Sequence, residues 1–141
     1  MIKKKIFIAV DTNKISKAKK IIKETQTNRI KIGYKFGLEF MLSKNGRNFI
    51  SKLKNKITFI DIKAKDIPNT MKSAINSLKD LKINYLTVHI SSGLEALRAV
   101  KKVSGKIKIV GVSTLTSLDN RNLRELGYNK SVKNLIIHQS K

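Results

Sequence analysis

The sequence predicts an α/β protein built on a parallel β-sheet, and three observations support this fold class. Apolar runs of strand length recur along the chain, and stretches with the helical spacing of apolar residues separate them. The strand runs are nearly continuous in Ile, Val and Phe, which is typical of strands covered on both faces. Alternation of strands and helices at this spacing predicts right-handed crossovers between parallel neighbours. The strand segments are IFIAV (6–10), IKIGYKF (30–36), ITFIDI (57–62), YLTVHI (85–90) and IKIVGV (107–112).

Helices are predicted in the segments that follow the strands. The clearest lies over 69–81, where Met71, Ile75 and Leu78 share one face and Asn69 or Thr70 is expected to cap the first turn. The other helical segments are SKAKKIIKE (16–24), GRNFISKLK (46–54), GLEALRAVKKV (93–103) and SVKNLIIHQSK (131–141). The segment STLTSLDN (113–120) after the fifth strand is predicted to be a loop.

The length and composition of the chain limit the classes of function that the protein can have. A length of 141 residues suits one domain, residues 1–141, with a single core. The absence of cysteine excludes disulfides and thiolate metal sites and makes the cytoplasm the expected compartment. The first apolar run, Ile6 to Val10, is too short for a secretion signal or a membrane span. The formal charge of +22 favours an anionic partner, but the lysines are scattered, so an anionic small molecule is favoured over nucleic acid.

Two sheet architectures fit this pattern: an open doubly wound sheet, and part of a (β/α)8 barrel. The first strand-to-helix turn, VDTNKIS (10–16), lacks the G-x-G-x-x-G motif of dinucleotide-binding sheets. Polar residues follow the strands instead, and in a barrel the active site is built at the carboxyl ends of the strands. These residues are Asp11, Lys31 or Lys35, Asp61 with Lys63, His89, and Thr116 with Ser117.

The segment FIDIKAKDIPNT (59–70) concentrates charge at the end of the third strand. Asp61 and Lys63 are two residues apart and share a face of the strand, and Asp66 follows in the loop. A lysine between two carboxylates stays protonated and keeps the carboxylates ionised, so Lys63 is a candidate proton donor to a developing carbanion. The alternative interpretation is a solvated cluster of charges on a loop.

Four segments in this order resemble the orotidine 5'-phosphate decarboxylase family. They are IFIAVDT (6–12), DIKAKDIPNT (61–70), TVHISSG (87–93) and VSTLTSLD (112–119), and the resemblance runs from Ile6 to about Ile137. The D-x-K-x-x-D pattern is shared with sugar-phosphate relatives, whereas IPNT and LTS favour the orotidine branch. The resemblance implies a carboxy-lyase on the N-terminal part of a (β/α)8 TIM barrel, with about five parallel strands and intervening helices.

The resemblance also implies a reaction and roles for individual residues. Orotidine monophosphate loses CO2 to give uridine monophosphate in pyrimidine synthesis, without a cofactor or a metal. Lys63 would protonate C6 of the pyrimidine, Asp61 would lie against the departing carboxylate, and Asp66 would serve the neighbouring site across a homodimer interface. Asp11 and a lysine of the second strand would contact the ribose, and Thr116 would lie at the pyrimidine. The substrate-binding residues implied by the matching motifs are Asp11, Ile67, Asn69, Thr70, Thr116 and Ser117.

The second-strand lysine has two candidates. Lys31 and Lys35 both stand in a K-x-G-like pattern, in KIGY (31–34) and KFGLEF (35–40). Lys35 lies 26 residues before Asp61, which is close to the family spacing, and Lys31 lies further away. We therefore predict Lys35 at the site, with Lys31 as the alternative.

The length of the chain leads to an expectation about its activity. A complete barrel needs about 200 residues or more, and its phosphate site follows the seventh and eighth strands. We expect a truncated or split decarboxylase with little or no activity alone, assembling as a homodimer or completed by a chain that carries the missing strands. The alternatives are a sugar-phosphate decarboxylase, and a non-enzymatic remnant or basic nucleic-acid-binding protein.

Overall fold

A computed structural model describes residues 5–141 of the chain. Over this range one sheet has the strand order β1-β2-β3-β4-β5, and every neighbouring pair is parallel. The strands are β1 (Lys5–Ala9), β2 (Lys31–Gly37), β3 (Ile57–Ala64), β4 (Tyr85–His89) and β5 (Lys108–Val112). The sequential order is the winding of a (β/α)8 barrel, since a doubly wound sheet reverses its strand order at one point. All five predicted strands are confirmed, with bounds that agree within two residues.

Helices follow the strands as the periodicity predicts, with two additions. The helices are α1 (Ile15–Glu24), α2 (Leu38–Leu42), α3 (Gly46–Ser51), α4 (Pro68–Ser77), α5 (Leu94–Val103), α6 (Asn120–Glu125) and α7 (Val132–Gln139). Single 3-10 turns lie at Lys79–Leu81 and Ile90–Ser92. The short helices α2 and α6 were not predicted. Helix α6 begins at a capping box, in which the Asp119 carboxylate accepts from the Asn122 backbone N–H and the Asn122 side chain accepts from the Asp119 N–H.

The start of α4 corrects one prediction. The helix begins at Pro68, and Ile67 is its N-cap, so the expected cap at Asn69 or Thr70 is wrong. Proline favours the first helical position because its missing N–H would have no partner there and its φ angle is already helical. Asn69 and Thr70 therefore lie within the first turn.

One face of the sheet is covered by helices. Phe36, Ile60 and Val88 are fully buried there, and their side chains join apolar residues of the helices in one core. The helix residues at the centre of that core are Ala18, Met71, Ile75, Ala96 and Val100. Each large side chain that is removed from water contributes about 1.5–3 kcal/mol to folding, so this face supplies most of the apolar stabilisation.

The opposite face carries an aromatic cluster, which consists of Phe7, Phe59 and Tyr85. Their ring centroids are 5.1–5.8 Å apart and the rings remain partly exposed. Gly33 of β2 makes room for this cluster, since a Cβ atom at that position would lie 2.6 Å from the Phe7 ring. The ammonium groups of Lys5 and Lys108 lie 5.9 and 5.7 Å from the centre of the Tyr85 ring. Because Phe59 and Asp61 are two residues apart on β3, the cluster lies on the same face as the predicted site.

None of the helices among residues 5–141 combines the length and the apolarity that crossing a membrane requires.

Candidate active site

Two lysines and one aspartate meet at the carboxyl edge of the sheet, and we call them the Lys–Asp–Lys array. Lys35 of β2 places its Nζ 2.7 Å from Oδ2 of Asp61, and Lys63 of β3 places its Nζ 3.0 Å from Oδ1. The Asp61 side chain is 9% exposed, whereas those of Lys35 and Lys63 are 31% and 42% exposed. One buried carboxylate therefore orients two ammonium groups that remain open to solvent on the barrel side.

The backbone of β3 is irregular where it carries the array. The ladder with β4 pairs Ile60 with Leu86 and then Ala64 with Val88, so the register shifts between these two pairs. Lys63 has a φ of +49°, in the left-handed region that non-glycine residues rarely adopt. This local distortion is typical of residues held in place for function, because it persists only when surrounding contacts fix it.

Thr87 of β4 lies at the centre of the distortion and was not predicted. Its hydroxyl donates to Oδ1 of Asp61 at 3.0 Å and accepts from the Lys63 backbone N–H at 2.8 Å. A signal was present in the sequence, since Thr87 is a polar residue in the otherwise apolar run YLTVHI. Its partners depend on the register between β3 and β4, which the sequence does not reveal.

The surroundings of Asp61 favour its ionised form. Burial alone would raise the pKa of this carboxyl, but hydrogen bonds from Lys35, Lys63 and Thr87 and the charge of Lys35 outweigh burial. The pKa of Asp61 therefore lies below its ordinary value of 3.8. At neutral pH the array holds a carboxylate between two positive charges.

The structure places the two candidate lysines of β2 at opposite ends of the strand. Lys31 is exposed at the start of β2, in register with Lys5 of β1. Lys35 is four residues further along, where the carboxyl ends of the strands meet. The geometry brings Lys35, and not Lys31, to Asp61.

Asp66 does not join the array within the chain. Its side chain is exposed, and its carboxylate accepts a hydrogen bond from the Ile67 backbone N–H at 2.7 Å. Among residues 5–141, Asp61 is the carboxylate that pairs with Lys63. The interpretation in which two carboxylates flank Lys63 thus fails within one chain, and the role of Asp66 across an interface stays a prediction.

The predicted substrate-binding residues lie on loops and helix starts that follow the strands. Asp11 follows β1 by two residues and is exposed. Ile67 is 66% exposed before α4, and Asn69 and Thr70 are exposed in its first turn. Thr116 and Ser117 are exposed between β5 and α6. The structure brings these residues to the same edge of the sheet as the array, because each follows the carboxyl end of a parallel strand.

His89 ends β4 beside the array. Burial lowers its pKa below the ordinary value of 6.5, and the positive charges of Lys65 and Lys63 lower it further, against a hydrogen bond with the Ser113 backbone. The imidazole is therefore neutral at about pH 7. Within the described part of the chain, no three His, Cys, Asp or Glu residues are grouped so that they could hold a metal ion.

Comparison with known proteins decides the family. The family model described as orotidine 5'-phosphate decarboxylase / HUMPS family matches residues 4–141. The chain belongs to this family. The predicted family resemblance is thus confirmed.

Relatives and solved structures agree with this assignment. The chain is 40% identical over 139 residues to the orotidine 5'-phosphate decarboxylase of Wolbachia sp. subsp. Brugia malayi, covering 94% of this chain and 59% of the relative. It is 38% identical over 130 residues to that of Ehrlichia chaffeensis, covering 89% and 55%. The crystal structure of the Lactobacillus acidophilus decarboxylase superposes with a TM-score of 0.87 at 25% identity, covering 96% and 65%. The predicted N-terminal part of a TIM barrel is therefore confirmed, and the chain spans less than two thirds of the length of these relatives.

Proposed function

We propose that the chain carries the catalytic array of an orotidine 5'-phosphate decarboxylase, a carboxy-lyase that forms uridine monophosphate in pyrimidine synthesis. One observation carries the proposal: Asp61 binds Lys35 and Lys63 through its two different oxygens at the carboxyl edge of the sheet. The relatives from Wolbachia and Ehrlichia are orotidine 5'-phosphate decarboxylases, which supports the same substrate.

The array suits a reaction in which negative charge develops on carbon. When the bond between C6 and the carboxylate breaks, CO2 leaves and the electron pair stays on C6. The Lys63 ammonium then transfers a proton from Nζ to C6, and Asp61 keeps that ammonium charged and oriented beforehand. Asp61 would also repel the nearby substrate carboxylate, and this repulsion falls as CO2 leaves, so the site favours the transition state over the bound substrate. No step requires a cofactor.

The remaining contacts of the substrate are assigned by resemblance. Asp11 and Lys35 would bind the ribose hydroxyls, and Thr116 with Ser117 would bind the pyrimidine edge. Ile67, Asn69 and Thr70 would line the site at the start of α4. In a homodimer, Asp66 would reach the array of the second subunit, which fits the exposure of its side chain.

We expect the 141-residue polypeptide to show weak turnover, or none, when it is assayed by itself. The sheet over residues 5–141 has five strands, and a barrel places its phosphate site after strands seven and eight. Binding energy from a remote phosphate lowers the barrier at the reacting carbon, so a chain without that grip loses rate as well as affinity. Addition of a polypeptide that carries strands six to eight of such a barrel would restore both.

The decisive experiment measures CO2 release from orotidine monophosphate that is labelled in its carboxylate. The purified chain is assayed alone and together with the C-terminal part of the Wolbachia decarboxylase beyond the matched region. We expect the added part to raise turnover, and we expect Lys63→Ala to abolish the increase.

Three results would contradict the proposal in different ways. Turnover by the chain alone at the rate of a full-length relative would overturn the requirement for a partner. Decarboxylation of a sugar phosphate, with none of orotidine monophosphate, would overturn the substrate. Salt-sensitive retention on DNA with no lyase activity in either assay would favour a basic nucleic-acid-binding protein.

A further inference from the structure

We infer that Thr87 is a positioning residue of the proposed decarboxylase site, which fixes both the carboxylate of Asp61 and the backbone of Lys63. The inference rests on the proposed function and concerns a residue to which the family resemblance assigns no role. Thr87 is 4% exposed in the middle of β4, where a valine or isoleucine would satisfy the sheet equally well. The sheet does not require a hydroxyl at this position, so the reason for the hydroxyl lies in its two hydrogen bonds, to Asp61 and to the Lys63 backbone.

The register of the sheet explains why a side chain is needed at this position. Between the pairs Ile60–Leu86 and Ala64–Val88, β3 contains three residues where β4 contains only Thr87. Such an excess on one strand interrupts the ladder of backbone hydrogen bonds. The Lys63 N–H, displaced from the ladder, donates to the Thr87 hydroxyl at 2.8 Å instead. The side chain thus replaces a backbone acceptor and supports the left-handed backbone of Lys63.

The same hydroxyl sets the rotation of the Asp61 carboxylate. A threonine hydroxyl has one hydrogen, and here it is donated to Oδ1 of Asp61 at 3.0 Å. The two lysines also bind this carboxylate, but their long side chains are 31% and 42% exposed and have many rotamers. Thr87 is buried and β-branched, so its χ1 angle is restricted and its hydroxyl is the rigid reference for the array.

The distortion of β3 places the Lys63 ammonium group and the Asp61 carboxylate on the same side of the sheet. Lys63 Nζ reaches Asp61 Oδ1 at 3.0 Å, the oxygen that Thr87 also binds. A shift of the Lys63 backbone would move Nζ relative to the substrate carbon, and small misplacements of reacting groups are costly in rate. Loss of the Thr87 hydroxyl should therefore lower kcat more than it raises KM.

The test replaces Thr87 by Val, which keeps the shape and removes the hydroxyl, and by Ser, which keeps the hydroxyl. Thr58→Val is the matched control, because Thr58 is 3% exposed on β3 and its hydroxyl lies 3.4 Å from the Lys56 carbonyl, away from the array. The first measurement is an NMR titration of the isotope-labelled Asp61 carboxyl in the 141-residue chain, which requires no activity. We expect Thr87→Val to raise the pKa of Asp61 towards its ordinary value, and Thr87→Ser and Thr58→Val to leave it in place.

The second measurement is single-turnover decarboxylation in the complemented assay. We expect Thr87→Val to lower the rate about 10-fold or more, as for loss of a hydrogen bond to a charged group. Thr87→Ser should restore most of it. Should Thr87→Val fail to fold, Thr87→Cys, a weaker donor, is expected to move both readouts in the same direction by a smaller amount.

The outcomes separate this inference from the proposed function. An unchanged Asp61 titration in Thr87→Val would overturn the positioning role, whatever the rate. A shifted titration with a rate equal to that of the unmodified chain would also overturn it. A shifted titration in a protein that never decarboxylates orotidine monophosphate would overturn the proposed function and leave the hydrogen-bond assignment intact.

Discussion

Two groups of site residues differ in how firmly contacts within the chain hold them. One group lies on the strands, and the other lies outside the strands. Lys35, Asp61, Lys63 and Thr87 belong to three adjacent strands, and hydrogen bonds of 2.7–3.0 Å join them. The predicted substrate-binding residues, which lie on loops and in the first turn of α4, are exposed. The sheet therefore fixes the geometry of the array, whereas the exposed side chains of the predicted binding residues would take theirs from a substrate or a partner.

This difference has an energetic basis. The Asp61 carboxylate loses its conformational freedom when the sheet folds, and its ion pairs restrict the two lysines, so binding of substrate costs less further ordering there. Exposed loop side chains lose theirs on binding, at a cost of about 0.5–1.5 kcal/mol for each long side chain that is immobilised. Substitutions in the two regions should consequently separate effects on rate and stability from effects on affinity.

The largest effect is expected for Lys63→Ala, which removes the proposed proton donor. Turnover in the complemented assay should fall about 10²–10⁴-fold, the usual contribution of a positioned general acid. Lys65→Ala is the matched control, since this exposed lysine of the same segment makes no contact with Asp61. Equal losses from both substitutions would mean that total positive charge, rather than the array, governs the reaction.

Asp61→Asn tests whether the array stabilises the fold. At pH 7 the variant should unfold with a free energy about 1–3 kcal/mol lower, because the Lys35 and Lys63 ammonium groups lose their shared anion. The folded pKa of Asp61 is lowered, so its contribution is complete above the ordinary value of 3.8 and is lost as pH falls through the folded value. Urea denaturation from about pH 7 down to about pH 2 should therefore show the two proteins converging in acid. A difference that is constant with pH would contradict the ion pairing.

A comparison of Lys35→Ala with Lys31→Ala tests which end of β2 contributes its lysine to the site. Lys35→Ala should lower turnover about 10-fold, because one oxygen of Asp61 loses its charged donor. Lys31→Ala should leave turnover unchanged, since this lysine is exposed at the opposite end of the strand. A larger loss from Lys31→Ala would restore the alternative that the sequence left open.

The smallest effect is expected at a predicted binding residue in the first turn of α4. Thr70→Ala should change the free energy of unfolding by less than about 0.5 kcal/mol, because Thr70 is exposed in the first turn of α4. KM for orotidine monophosphate should rise about 2- to 10-fold, as for one lost neutral hydrogen bond. Ser73→Ala, at an exposed position further along α4, is the control and should change neither quantity. A stability loss above about 1 kcal/mol would show that contacts within the chain fix Thr70 as firmly as they fix the residues of the strands.

Most of the sheet follows from the sequence, because near-continuous Ile, Val and Phe runs leave few other interpretations. The missed helices are short: α2 has five residues and α6 has six, too few for a periodic signal to emerge. The polar side chains of Asn69 and Thr70 suggest a cap at these positions, but the fixed φ angle of Pro68 determines where α4 begins.

The site was predicted less completely, for reasons of register. Spacing along one strand places Asp61 and Lys63 on one face, but contacts between strands depend on which residues pair. The choice between Lys35 and Lys31 and the contacts of Thr87 both follow from the alignment of β2, β3 and β4. The distortion of β3 at Lys63 has no sequence signal, since no glycine marks the left-handed residue.

The aromatic cluster gives the molecule a built-in optical reporter. The chain has no tryptophan and three tyrosines, and of these Tyr34 is buried beneath the helices and Tyr128 lies near α6. Tyr85 alone stands on the barrel-facing surface, packed against Phe7 and Phe59 and beneath two ammonium groups. Any polypeptide or ligand that covers this face changes the solvent around one identifiable phenol. The difference in near-ultraviolet circular dichroism between the unmodified chain and Tyr85→Phe should therefore record coverage of this face, without an assay for the reaction.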